Sequence, residues 1–430
     1  MYTPQRLFGE VGSSSDILSH EPFLERARLQ REQEHDGSAR LALGAYVVAR
    51  LVDKLLTIEN DDGGIDGFRW QLEAVRRHVD ELPPDAPETA HLAGVVAVVP
   101  TEGRPGPSLW MSLTAYAYFL EHEGRLEESL EMLTLAARSQ GSQTAVGDFT
   151  TYALFAGRLN RRLARWDVAT ACYGAAEEAG SKAGDSLSML RGRLGRGAVH
   201  RGQGNYPAAR ATAESVLREA TELQLIEAQA MAYADLGAIY ALQGLRLNAL
   251  EAEYQAFRLS REMPQQMRAL GNLAIGLSEI GAFDAARLAF QIVIESDASY
   301  EVRANALADL MDLESSVGNR VSFERYRIAA EEYRSRMSPS MSVDFHYKVG
   351  IGLARFGQPA RARTAFTSAM ALAEQHRLNA WYFKIEQALK QLDERQDERP
   401  SLREASELSE APLVREMEIG LREYAATAAL

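Results

Sequence analysis

The sequence predicts an all-α fold: a right-handed α-solenoid of about seven helix-turn-helix repeats with an N-terminal helical cap. Three observations predict it. Of the 430 residues, 46% are hydrophobic and only 14 are proline, and the helix-favouring residues Ala, Leu, Glu and Arg dominate the middle and end of the chain. A turn motif centred on glycine recurs at intervals of 37 to 40 residues. Apolar residues at helical spacing flank each of these turns.

The first segment, residues 1–37, has no basic stretch followed by a long apolar run, so it does not predict a secretion signal. We expect it to be flexible or irregular. The only cysteine of the chain, Cys172, cannot form an internal disulfide. This fits a reducing compartment, and we expect a cytoplasmic protein.

The second segment, residues 38–108, is predicted to be a helical N-terminal cap. Two stretches, 38–56 and 66–82, have amphipathic helical spacing, and the proline-rich stretches 83–87 and 100–107 interrupt the chain. Two other interpretations stay open: a DNA-binding helix-turn-helix unit and a helical module that binds an effector protein. The net charge of −13 disfavours nucleic acid, because phosphate binding needs a basic face. We expect no direct DNA binding.

The stretch between these two predicted helices partly matches a calcium-binding EF-hand loop. Asp62, Asp66, Gly67 and Glu73 occupy loop positions 1, 5, 6 and 12. Gly64 stands at position 3, where a ligand is usual. The alternative is that Asp66 caps the second helix by accepting hydrogen bonds from free amides, and we predict no metal and no cofactor.

The third segment, residues 109–390, carries the repeats. Seven residues mark equivalent turns: Gly124, Ala164, Gly204, Gly244, Gly281, Gly318 and Gly357. Glycine at such a turn accepts the left-handed backbone conformation that ends a helix. Alanines such as Ala209 and Ala286 then lie where two helices approach closely, and larger residues fill the space between neighbouring units. One such pair cannot bury its apolar face alone, which is why stacking into a solenoid is expected.

These units resemble the tetratricopeptide repeat (TPR). The resemblance rests on Leu236, Gly237 and Tyr240, followed by Gly244 and Ala249. It covers residues 109–389, and the long period is similar to that of kinesin light chains and of bacterial peptide receptors of the Rap type. Ala164 departs from the pattern because it replaces the turn glycine. The resemblance implies binding of a peptide or protein in a concave groove lined by the first helix of each repeat.

Motifs that would indicate an enzyme were not found. The sequence contains no HExxH, GxSxG or GxxxxGK[ST], and its eight histidines have no metal-ligand spacing. Cys172 lacks a histidine nearby in sequence, so we expect a packed thiol. The apolar stretches 41–56 and 92–99 are interrupted or too short to cross a bilayer. We predict neither catalysis nor membrane association.

Local charge gives the candidate binding site. Residues 158–201 contain nine basic and four acidic residues, a charge of +5 in an acidic chain. Arginines on first helices could hold a carboxylate or phosphate in the groove, and asparagines could hold a peptide backbone. The candidates are Arg158, Arg161, Arg162, Arg191, Arg201, Arg268, Asn272 and Asn305. The alternative is a solvated surface without a ligand.

The last segment, residues 391–430, is predicted to be an acidic linker followed by a C-terminal helix. It contains ten acidic and five basic residues. The helix could cap the last repeat, occupy the groove of its own chain, or reach a second copy and cause self-association.

Two functions are compatible with these features. The first is a scaffold or adaptor whose groove holds an extended, acidic segment of a protein or peptide partner. The second is a regulatory sensor, in which a peptide or other ligand changes the pitch of the superhelix and so controls a partner through the N-terminal helices.

Overall fold

The computed structural model describes residues 20–32, 36–57, 62–101, 106–140, 146–376, 378–394 and 408–428. These residues form 20 α-helices and one short 3₁₀ turn, and they contain no strand. The chain divides into two compact units, Met1–Gln203 and Gly204–Leu430.

The first unit consists of nine helices: α1 (Glu21–Glu32), α2 (Asp36–Thr57), α3 (Asp62–Asp80), α4 (Pro87–Val98), α5 (Pro107–His122), α6 (Leu126–Ser139), α7 (Val146–Arg162), α8 (Trp166–Ala183) and α9 (Ser186–Gly202). Helices α5 and α6 form one antiparallel pair, and α7 and α8 form the next. Helix α2 packs on α1, α3, α4 and α6, so the N-terminal helices share one apolar core with the first repeat.

Helix α1 lies where we expected a flexible or irregular segment, so the expectation for residues 1–37 was wrong for Glu21–Glu32 and for the start of α2 at Asp36; residues 1–19 and 33–35 lie outside the described residues. The helix has one fully buried residue, Phe23. Its Arg26 forms ion pairs with Glu88 of α4 and Glu128 of α6, at 3.0 and 3.2 Å. These partners are distant in sequence, which is why hydrophobic periodicity alone did not reveal the helix.

The partial EF-hand match is also wrong for the described residues. Helix α3 begins at Asp62, so Asp66, Gly67 and Glu73 lie within a helix rather than in a loop. Asp66 does not cap that helix, because it lies in its second turn, where it pairs with Arg69 at 3.1 Å. Residues 58–61 lie outside the described residues. Among those described, no group of three or more His, Cys, Asp or Glu side chains is arranged to hold a metal.

The second unit contains eleven described helices: α10 (Tyr206–Glu222), α11 (Ile226–Leu242), α12 (Arg246–Leu259), α13 (Met263–Glu279), α14 (Phe283–Glu295), α15 (Tyr300–Ser316), α16 (Arg320–Glu331), α17 (Pro339–Arg355), α18 (Pro359–Gln375), α19 (Asn379–Glu394) and α20 (Pro412–Ala428). Four consecutive pairs run from α11 to α18. The first helices of successive pairs, α13, α15 and α17, pack against one another, and α17 packs on α19.

The seven predicted turns are confirmed residue by residue. All six turn glycines have positive φ angles, between 70° and 81°, and Ala164 has φ 56°. Six of the seven lie between two consecutive helices that pack on each other, and Gly204 lies between α9, the last helix of the first unit, and α10, the first helix of the second. The repeats are therefore TPR-like helical hairpins, and Ala164 adopts a left-handed conformation that is unfavourable for a residue with a β-carbon.

Helix α20 does not occupy the first of the three placements left open for the C-terminal helix, a cap on the last repeat. It packs on α12 and α14, in the middle of the second unit, rather than serving as a simple cap on the last repeat. Its buried residues, Val414, Met417 and Leu421, join the same apolar core as these repeats. The linker residues 395–407 lie outside the described residues.

Candidate functional site

The predicted arginines of α7 do not form one cluster. Arg158 and Arg162 meet around Glu121 of α5, and Arg158 binds this carboxylate through two hydrogen bonds of 2.9 and 2.7 Å. The Arg158 guanidinium also lies 4.7 Å from the ring centre of Phe155. Arg161 lies beside Tyr173 of α8 instead. The Arg158 guanidinium was expected to bind a carboxylate of a ligand. It already binds the carboxylate of Glu121 instead.

The local charge of +5 is partly compensated within the first unit by carboxylates outside residues 158–201. Six of the nine basic side chains in residues 158–201 form ion pairs with Glu121, Glu127, Glu177 or Glu178. Glu121 and Glu127 belong to the preceding repeat, about 40 residues earlier, so a count over residues 158–201 omits them. The remaining predicted residues, Arg191 and Arg201, are half-buried on α9.

In the second unit, Arg268, Asn272 and Asn305 are exposed, as a binding role requires. Arg268 and Asn272 lie one turn apart on α13, and Asn305 lies on α15, the next first helix. Asn272 lines a cleft with a volume of about 400 Å³.

The cleft opens between α11 and α13, and α12 forms its floor. Twelve residues line it: Gly237, Ala238, Ala241, Gly244, Arg246, Ala249, Leu250, Glu253, Asn272, Ile275, Gly276 and Glu279. Small residues dominate the α11 wall, which leaves space beside the α12 floor. The α13 wall contributes Ile275, a large apolar residue that is 38% exposed. The cleft therefore offers apolar contact as well as polar groups.

Glu253 is the chemically distinctive residue of the cleft. Only 6% of it is exposed, although carboxylates are rarely buried without compensation. Asn272 donates a long hydrogen bond of 3.4 Å to Glu253 Oε1. Gly237 makes room for this side chain, since a β-carbon there would lie 2.7 Å from the same oxygen.

The charges around the cleft favour a cation. Glu253 and Glu279 each contribute a carboxylate, and Arg246 contributes one guanidinium, so the lining residues carry a net charge of −1. Glu253 already has partners within the protein, among them Asn272, and a cationic group in the cleft would add an opposite charge beside its carboxylate. An ammonium or guanidinium group on an apolar stem matches this combination of Glu253, Asn272 and Ile275.

Sequence reasoning identified Asn272 but missed Gly237, Glu253 and Ile275. A signal for Glu253 was available, because it stands within the apolar stripe of α12 formed by Ala249, Leu250 and Phe257. A charged residue at such a position is a candidate functional group. The open space beside it could not be read from the sequence, since it depends on the separation of α11 and α13.

Cys172 is not among the residues that line the cleft. It is a free, fully buried cysteine, and burial raises the pKa of its thiol to about 12. This confirms the expected packed thiol, because a thiol that stays protonated is a poor nucleophile. Among the described residues, no helix has both the length and the apolar character needed to cross a membrane.

Comparison with known proteins gives distant structural similarities. No protein-family model and no curated protein matches the sequence. The apo form of the quorum sensor NprR from B. thuringiensis is similar with a TM-score of 0.47 and 14% identity, over 82% of this chain and 97% of that one. The Rap conjugation gene regulator of plasmid pLS20, solved with the Phr* peptide, has a TM-score of 0.48 and 11% identity, over 78% and 96%.

A tetratricopeptide repeat protein from Parabacteroides merdae has a TM-score of 0.40 and 16% identity, over 66% of this chain and 98% of that chain. All three TM-scores lie below 0.5, and identities this low carry no information on a ligand.

Proposed function

We propose that this protein is a peptide-binding or protein-binding module that holds an extended segment on the first helices of its second unit. The observation that carries the proposal is the cleft between α11 and α13, with the buried carboxylate of Glu253 at its floor. A cationic side chain of the bound segment enters the cleft, where its charge is paired with Glu253 and its apolar stem contacts Ile275.

The exposed polar residues along α13 and α15 would bind the rest of the extended segment. Asn272 and Asn305 carry amide groups that can both donate and accept hydrogen bonds, which suits a peptide backbone in extended conformation. Arg268, one turn before Asn272, could pair with an acidic residue of the segment. The acidic partner first inferred from residues 158–201 has less support, because most basic side chains there are already paired.

The test is a selection of random peptides on immobilised full-length protein, followed by calorimetric titration of the enriched peptides. We expect enrichment of peptides with lysine or arginine. Glu253→Gln should weaken their binding at least tenfold, because removal of one partner of a buried charge pair is costly.

Glu251→Gln is the matched control, since Glu251 lies on the same helix but is exposed. The affinity of this variant for the selected peptides should equal that of the unchanged protein. Enrichment of acidic peptides, or equal loss of affinity in both variants, would contradict the proposed role of the cleft.

A further inference from the structure

Helix α20 spans two neighbouring repeats of the second unit. It packs on α12, the second helix of one pair, and on α14, the second helix of the next. Val414, Met417 and Leu421 are 3%, 0% and 0% exposed. Because these three residues recur at intervals of three and four, they form one apolar face, which is fully engaged in this contact.

Several contacts show that the fit of α20 is specific. The ring of Tyr424 meets that of Phe257 edge to face, with ring centres 5.0 Å apart. The Tyr424 hydroxyl donates a hydrogen bond of 3.0 Å to Oε1 of Gln266, on α13. Gly420 allows the close approach of Tyr254, since a β-carbon there would lie 2.0 Å from the Tyr254 hydroxyl oxygen.

The helices that α20 joins are those that form the cleft. On α12, Glu253 lines the cleft, and the next residue, Tyr254, touches α20. On α13, Gln266 bonds to α20, and Asn272 lines the cleft less than two turns later. The cleft lies where the α11–α12 pair meets the α13–α14 pair, and α20 bridges the same two pairs.

We propose that α20 is a strap that fixes the separation of these two pairs and thereby the width of the cleft. A ligand that requires a cleft of different width then weakens the packing of α20 on the repeats. Because such coupling is reciprocal, release of α20 changes the affinity for that ligand. This regulatory role rests on the proposed function. The effect of α20 on the width of the cleft does not require a ligand. It also gives the C-terminal helix a role other than capping the last repeat.

The experiment measures the cleft directly with a pair of nitroxide labels. Ala241→Cys on α11 and Glu279→Cys on α13 place labels on exposed positions of the two facing walls. Cys172 is fully buried and can remain. Dipolar broadening of the spectrum in frozen solution reports the distance between the labels in full-length protein.

Two changes on α20 release the strap without altering the repeats. Leu421→Asp places a charge in the buried face, and Gly420→Val creates a clash with Tyr254. Arg422→Ala is the control, because the Arg422 side chain is 70% exposed. Hydrogen exchange of residues 412–428 shows in each protein whether α20 has been released.

We expect both strap variants to lose protection of α20 and to change the label distance by about 1–2 Å, the scale of helix shifts at packed interfaces. The control should match the parent protein in both measurements. An unchanged distance after release of α20 would overturn the proposal, and so would full protection of α20 in both variants. Failure of peptide selection would leave these outcomes unaffected, so the two proposals can fail separately.

Discussion

A single glycine determines where the carboxylate of the cleft lies. Gly237 faces Glu253 across the interface of α11 and α12, and the Glu253 side chain occupies the space that a β-carbon would take. The same glycine is part of the pattern by which the sequence resembles the TPR. In this repeat it therefore also shapes the candidate binding site.

Gly237→Ala should destabilise the protein by about 1–3 kcal/mol, the usual cost of overpacking a core, and should weaken binding of selected peptides. Gly271→Ala is the control within α13, where a β-carbon meets nothing within 4 Å. That change should raise the free energy of unfolding by about 0.5–1 kcal/mol, because alanine favours helix over glycine. Urea unfolding of both variants measures the difference, and equal stabilisation would show that the space beside Gly237 is not restricted.

Ala164 is the one turn residue of the seven repeats that carries a β-carbon, and its φ is 56°. Ala164→Gly should therefore raise the free energy of unfolding by about 0.5–1 kcal/mol. Glycine removes the cost of about 1–2 kcal/mol that the left-handed conformation imposes on an L-residue. Part of this gain is offset because glycine increases the conformational entropy of the unfolded chain. Gly124→Ala, at an equivalent turn, should lower the free energy of unfolding. Thermal and urea unfolding test both, and a loss of stability in Ala164→Gly would contradict the assignment of this turn.

At the scale of elements, buried ion pairs fix α1 against its neighbours. Glu88 of α4 accepts hydrogen bonds from Arg26 of α1, from Arg125 at 2.7 Å and from the Tyr116 hydroxyl at 2.6 Å. Burial alone would raise the pKa of Glu88, but the charges of Arg125 and Arg26 outweigh it and lower the pKa to about 2. The carboxylate therefore stays ionised over the whole neutral range.

This shift predicts a dependence of stability on pH. The folded pKa lies below the ordinary value of 4.5, so the stabilisation is complete above about pH 4.5 and is lost as the pH falls toward 2. The difference corresponds to about 3 kcal/mol. Glu88→Gln should be less stable than the parent protein at pH 7, and the gap should narrow below pH 4.5.

Urea unfolding at several pH values between 7 and 3 measures this gap, with the exposed Glu81→Gln as control. A gap that stays constant with pH would show that Glu88 does not titrate as proposed.

The sequence predicted elements well where local chemistry determines them. A left-handed turn residue and its flanking apolar stripes are local features, so all seven turns were located correctly. Helix α1, the pairing of Arg158 with Glu121 and the docking of α20 depend on residues 37 to 158 positions apart. No local pattern contains that information. The same applies to the cleft, of which only Asn272 was predicted.

At the scale of the whole molecule, the second unit combines an open cleft with a helix that braces it. The cleft residues lie on α11, α12, α13 and the turn between α11 and α12, and α20 contacts α12, α13 and α14. A binding site at the meeting of two repeats is sensitive to their separation, which is how a solenoid can couple ligand binding to its geometry. The proposed strap and the proposed site together favour regulated binding over a rigid scaffold.

The most direct measurement of the central claim is a crystal structure of the full-length protein with a selected peptide. We expect electron density for a lysine or arginine side chain between α11 and α13, with its nitrogen within hydrogen-bond distance of the Glu253 carboxylate. The peptide backbone should run past Asn272. A peptide bound elsewhere, with the cleft filled only by solvent, would contradict the account.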